Sequence, residues 1–258
     1  MEVHHHAHTS RKKWTHYFWE FLMLFLAVFC GFLAENKREY IVESHRAKDY
    51  AKQFVEDLRK DTAELRSGIL QTAYINSSID SLVSLNLNND DKTVPGSFYY
   101  YSRFMSNTYR IDWNKSAINQ LIQSGNLRYL KNKPLVDMIN DYYTQQGTIS
   151  NQNQTNIEHR NMIMQVRNRI LDEKYYALFA PVDVDAEQAG QPHSRQIDSL
   201  ISQRLPIQPG AKNLIHEYMN HLLDRKWRTQ PLVDNYYPVA IRTAGDIIKA
   251  LIIKYDLK

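Results

Sequence analysis

The stretch that decides the reading is "WTHYFWEFLMLFLAVFCGFLAEN", Trp14 to Asn36. From Tyr17 to Ala34 it holds 18 residues with a single charge, Glu20. A helix rises 1.5 Å per residue, so this run covers about 27 Å, close to the thickness of a bilayer's hydrocarbon core. Phe and Leu fall on every face, whereas a helix on a soluble core shows one apolar stripe. Trp14, Tyr17 and Trp19 form an aromatic belt at one end, preceded by Arg11, Lys12 and Lys13. Aromatic and basic flanks of this kind mark a membrane–water interface. The expectation is one membrane-spanning helix, with the lipid bilayer as its first partner.

A cleaved signal peptide fits less well. A cut after Ala34 needs a small residue at Phe32, and a lipoprotein signal needs one at Phe29, before Cys30. The reading is an uncleaved signal anchor in a bacterial inner membrane, single-pass, with a cytoplasmic N-terminus and a periplasmic soluble region. Glu20 has three readings: an interfacial carboxylate reaching the headgroups, a polar contact between helices, or a proton or ion site. The first is favoured because Glu20 lies one turn inside the belt. Ahead of the belt, His4, His5, His6 and His8 are weak metal candidates, with His16 near enough to join. Ala7 interrupts the run, so it is not a hexahistidine tag. The favoured role is a weakly basic extension of the positive flank.

Beyond Ala34 no breaker appears until "NLNNDDKTVPG" (residues 86–96). Apolar residues at Ile41, Tyr50, Phe54, Leu58, Leu65, Ile69, Ala73, Ile79, Leu82 and Leu85 recur mostly in steps of three, four or seven, which predicts a long amphipathic helix. Short helices are expected over 97–108 and 114–123, with Asn114 as N-cap and Gly125 as the residue past the end. A further helix begins near Leu135, crosses the polar stretch "SNQNQTN" (150–156) and resumes at Ile157. The segment 180–194 reads as a loop, followed by helices near 194–203, 210–227 and 236–255 punctuated by Pro206, Pro209, Pro231 and Pro238. The predicted fold is all-α: one N-terminal transmembrane helix continuing into a long amphipathic stalk helix packed in a helical bundle. Its parts are a basic, His-rich tail (1–13), the anchor (14–36), the stalk and bundle (37–180), a loop (181–193) and C-terminal helices (194–258).

Composition narrows the function classes. The 258 residues carry 32 Lys and Arg against 28 Asp and Glu, a net charge of only +4. The basic residues are spread along the chain, unlike the concentrated stripe of a nucleic-acid binder. Cys30 is the only cysteine, so no intramolecular disulfide can form.

Two stretches belong together. One is the aromatic-Glu start, aliphatic run and "AEN", with a charged helix reaching "DLRKDTAEL"; the other is "SAINQLIQSGNLRYLKNKPLVDMINDYYTQ". This pairing resembles a family of uncharacterised bacterial single-pass membrane proteins, a domain of unknown function. The resemblance covers about residues 15–175. It rests most on Ser124–Leu127 and the pair Tyr142 and Tyr143, and departs where Trp19 stands in place of a Gly before Glu20. It implies architecture and location and brings no activity or catalytic residues.

No nucleophile elbow, phosphate-binding loop or dinucleotide fingerprint is present. In "HEYMNH" the histidines His216 and His221 are five apart, about 140° round a helix, so a zinc-protease face is not formed. Asp90 and Asp91 lack the alternating ligands of an EF-hand. Asp57 and Asp61, four apart beside Arg59 and Lys60, read as part of a solvated helix face. "FYYYSRF" (98–104) and "DNYYP" (234–238) read as packing aromatics, with a partner surface as the alternative. No catalytic residue and no cofactor is predicted. The expected function is a membrane-anchored scaffold or interaction module, sensory in one version, working as a homo-oligomer or with a membrane-protein partner and without nucleic acid. The alternative is an accessory subunit of an ion- or proton-conducting assembly using Glu20.

Overall fold

A computed structural model describes residues 14–85, 87, 92–123, 132–180 and 194–257, the side chains of 121–123 excepted. The candidates His4, His5, His6, His8, Arg11, Lys12 and Lys13 lie outside these residues. So do Asp90, Asp91, Ser124–Leu127 with Gly125, and the predicted loop 181–193.

Among the described residues the protein is all-α apart from two three-residue strands. In order it forms α1 (Trp14–Ser84), β1 (Thr93–Pro95), α2 (Gly96–Phe104), α3 (Ser116–Gln123), α4 (Lys133–Ile170), α5 (Glu173–Leu178), α6 (Arg195–Ser202), β2 (Arg204–Pro206), α7 (Lys212–Pro231) and α8 (Tyr237–Tyr255). A five-residue π segment, Leu232–Tyr236, joins α7 to α8. Contacts divide the chain into two compact units, with the boundary between Tyr50 and Ala51.

In the first unit the described residues belong to α1, and side chains from Trp14 to Phe21 and from Met23 to Val42 are exposed. Within it lies a helical window long and apolar enough to cross a membrane by length and composition, none of it buried.

In the second unit, α1 buries Phe54, Leu58, Asp61, Leu65, Gly68, Thr72, Ile75, Ile79 and Leu82. The steps alternate four and three, the seam of a helix packed in a bundle. This corrects the predicted stripe at Ala73, which is exposed, while Thr72 and Asn76 are buried. Two apolar clusters result. One gathers Ile79, Phe98, Tyr99, Phe104, Ile163, Tyr218 and Leu222. The other gathers Leu58, Leu65, Ile139, Tyr142, Ile149, Tyr237 and Ile247. Both combine residues before and after 180, so the C-terminal helices complete the same cores as α1 and α4.

The antiparallel pairing β1–β2, with Val94 opposite Leu205, was not foreseen. Pro95 and Pro206 suit a two-stranded ladder, since each lies at a strand end where a missing N–H is tolerated. Gly96 follows at once, and a Cβ there would stand 1.8 Å from the Leu200 carbonyl oxygen. The expected break at Pro231 does not occur. Pro231 removes a backbone donor, and the π segment absorbs the mismatch, so the helical path continues until Pro238 occupies the first turn of α8. Likewise α4 runs unbroken through "SNQNQTN", opened by Asn132, whose side chain accepts the Leu135 N–H.

Candidate functional site

One set of buried polar groups in the second unit falls on α1, α4 and α7 between the two apolar clusters. On α1 these are Thr72 and Asn76; on α4, Asn153, Asn156 and His159; on α7, Arg225 and Thr229. Most are tied together. Thr229 Oγ1 donates to Asn76 Oδ1 at 2.7 Å, Asn76 Nδ2 to Gln230 Oε1 at 3.1 Å, and Tyr237 OH to Asn153 Oδ1 at 3.3 Å. Arg225 is only 1% exposed. Its Nη1 donates to the Met105 carbonyl at 2.8 Å, and its Nη2 to the Asn107 carbonyl and, at 3.2 Å, to Thr108 Oγ1. These carbonyls follow the C-terminal end of α2, where partial negative charge favours a cation. Burial nevertheless pushes Arg225 down to about 10. Arg225 remains a guanidinium at neutral pH.

A second polar knot sits on Asp57 and Asp61, and here the solvated-face reading is overturned: both are buried. Asp61 Oδ1 accepts the backbone N–H of Asn114 at 2.7 Å and its Nδ2 at 3.1 Å; Oδ2 accepts Tyr142 OH and Gln146 Nε2, each at 3.0 Å. Burial raises the Asp61 carboxyl, opposed by the bonds from Asn114 and Tyr142, with the charge of Asp57 adding to the rise. Asp57 Oδ2 accepts Ser116 Oγ and the Ala117 N–H, each at 3.0 Å. Asn114 is therefore not the N-cap of α3. It turns to Asp61, while Asp57 takes an N–H of the first turn of α3 from 60 residues away. The i,i+3 and i,i+4 neighbours of Asp61 are Asp57, Leu58, Glu64 and Leu65, with no base among them. An unpaired acid within an apolar seam was the signal for burial.

The histidine motif resolves differently. His216 and Glu217 are exposed, and His221 turns toward α4, its ring centroid 5.7 Å from that of His159. His159 Nε2 lies 3.3 Å from Asp224 Oδ2, which also accepts Arg228 Nε at 3.0 Å. Burial lowers His159, outweighing the opposite pull of Asp224. Among the described residues no three His, Cys, Asp or Glu side chains are grouped to hold a metal ion.

The first aromatic run packs, with Phe98, Tyr99, Tyr100 and Phe104 buried; in the second Tyr237 is buried and Tyr236 is exposed. Tyr99 OH donates to the Pro206 carbonyl and accepts the Asp172 N–H at 2.8 Å, which ties β2 to the turn after α4. At the other extreme, Trp14, Tyr17, Trp19 and Glu20 are exposed on α1, as is Cys30.

No protein-family model, curated protein or solved structure matches this chain.

Proposed function

We propose that the protein is a single-pass, membrane-anchored helical scaffold or interaction module. In this reading residues 14–36 sit in a bacterial inner membrane, with the N-terminus cytoplasmic and the helical bundle periplasmic. The observation that carries it is the outward-facing apolar surface of α1 from Tyr17 to Ala34, where Phe21, Leu24, Phe25, Val28 and Phe32 are all exposed. Contiguous apolar surface on this scale needs lipid or another protein to cover it. In this reading Trp14, Tyr17 and Trp19 lie at the headgroup level, with Glu20 one turn deeper and able to reach it. The resemblance to the single-pass family supports the same architecture. For the interaction role the support is on α7, where Leu223 and Trp227, one turn apart, are exposed, Trp227 at 78%.

The decisive experiment fuses a compartment-specific reporter after Lys258 and follows the protein through alkaline extraction of membranes. An extraction-resistant protein with an external reporter is the expected result. A protein released by alkali ends the anchor reading. Detergent-extracted protein is then expected to self-associate or retain a membrane partner, and a monodisperse monomer without a partner refutes the scaffold role. The second reading, an accessory subunit of an ion- or proton-conducting assembly, draws on Glu20, the one charge between Tyr17 and Ala34. Unchanged ion or proton flux in membranes carrying Glu20→Gln removes it.

A further inference from the structure

Thr72, Thr108, Asn153, Asn156 and Arg225 line a cavity of about 10 Å³ within the second unit. That is the space one water-sized particle needs. Three of these lining residues carry a buried side-chain atom without a hydrogen-bond partner: Arg225 Nε, Asn153 Nδ2 and Asn156 Oδ1. Each belongs to a residue at most 3% exposed. Two of the three are donors, one of them on a guanidinium. Among the described residues no carboxylate pairs with Arg225; its other partners are two carbonyls and a hydroxyl. A positive charge buried without a counter-charge is costly, so a ligand that supplies one is favoured beyond its hydrogen bonds.

We propose that this cavity binds one small monovalent anion of the halide class, chloride foremost, held by Nε of Arg225 and Nδ2 of Asn153. Asn156 completes the site by turning its carboxamide half a revolution, which exchanges oxygen for nitrogen without changing its shape. The Thr108 hydroxyl gives its proton to the Asn107 carbonyl at 2.9 Å, so the donors offered to the anion are the amide and guanidinium N–H groups. Space for about one particle favours a monatomic anion over sulfate, phosphate or a carboxylate ligand. A water molecule would satisfy the three orphaned atoms and leave the charge of Arg225 uncompensated; the halide compensates it. The site lies where α1, α4 and α7 meet, so the anion would act as an internal brace between them. This inference stands apart from the membrane reading, since every residue in it belongs to the second unit.

The test uses the full chain in nonionic detergent. Thermal unfolding is measured in chloride and bromide, and in gluconate and sulfate, at matched ionic strength. Halide is expected to raise Tm saturably, by about 2–4 °C once it exceeds its Kd several-fold. Equal melting in chloride and gluconate overturns the proposal and leaves water as the occupant. Asn156→Asp assigns the site by placing a permanent carboxylate beside Arg225. It is expected to melt in gluconate as the unaltered protein does in chloride, with no halide shift. A full halide shift in Asn156→Asp overturns the assignment. Arg225→Met is expected to lose the shift as well. Should neither variant fold, crystals of the unaltered protein grown in bromide decide: an anomalous peak in this cavity supports the site, and peaks confined to the surface refute it.

Discussion

Helix α1 obeys opposite rules in its two parts. From Tyr17 to Ala34 it carries almost nothing but apolar side chains, and they point outward. From Ala51 onward it carries many charged residues, and two of its carboxylates, Asp57 and Asp61, point inward with Thr72 and Asn76. Burial follows the partner each side chain finds and not its hydropathy. Exposed apolar side chains on this scale call for a cover, lipid or protein. The buried carboxylates persist because they find hydrogen bonds that replace water. Asp61, accepting four, is the fullest instance.

The sharpest way to break the inward-facing rule is Asp61→Ala. It orphans the N–H and Nδ2 of Asn114, Tyr142 OH and Gln146 Nε2 together, and is expected to destabilise the bundle by about 4 kcal/mol in denaturant unfolding, with Asp61→Asn distinctly milder. For the outward-facing rule the matching test is Val28→Arg. At the centre of a span this substitution opposes insertion by about 2.5–3.5 kcal/mol, read as a shift of the protein from the membrane to the soluble or degraded fraction. Unchanged fractionation would show that residues 17–34 do not lie in lipid.

Gly96→Ala probes whether the β1–β2 corner is as tightly closed as the rest of the core. The new Cβ meets the Leu200 carbonyl, backbone that has little room to retreat. A loss of about 1–3 kcal/mol is expected. His159 offers a pH-dependent comparison. Its folded pKa lies below the unfolded value near 6.5, so the unfolded chain binds the proton first. The stabilisation is therefore complete above about pH 6.5 and is lost as pH falls through the folded pKa. Melting scans between pH 7.5 and 5 should show this slope, and His159→Gln should flatten it. The smallest effect is expected at Trp227→Ala, which should change stability by no more than about 0.5 kcal/mol while weakening any self-association through α7.

Much of the helical plan was legible because it rests on local periodicity. The long α1, the apolar run and the helices near 133–170, 195–202 and 237–255 all announce themselves by spacing. Features made by distant partners were not. Asp57 and Asp61 resemble any acids on a charged helix until Asn114, Ser116 and Tyr142 arrive from beyond residue 110. The four-three seam through Phe54, Leu58, Asp61, Leu65, Gly68 and Thr72 did contain the clue, since it places polar and small residues at core positions. The polar stretch "SNQNQTN" hid a different fact: Asn153 and Asn156 face inward while Asn151 and Gln154 face out. Strands of three residues are too short to show alternation, and a π segment after Pro231 has no period to read.

The bond from Ala117 to Asp57 carries a consequence for the order of assembly. An isolated eight-residue helix does not hold in water, because too few bonds follow its nucleation. The first turn of α3 is completed by an acceptor on α1, and the segment leading into it is held by Asp61 on the next turn. Helix α3 is thus a tenant of α1, with a loop of roughly half a hundred residues to close before it can settle. Its amide protons should exchange with deuterated solvent at a rate governed by the docking of α1, so that the Ala117 amide reports in real time on a helix to which it does not belong.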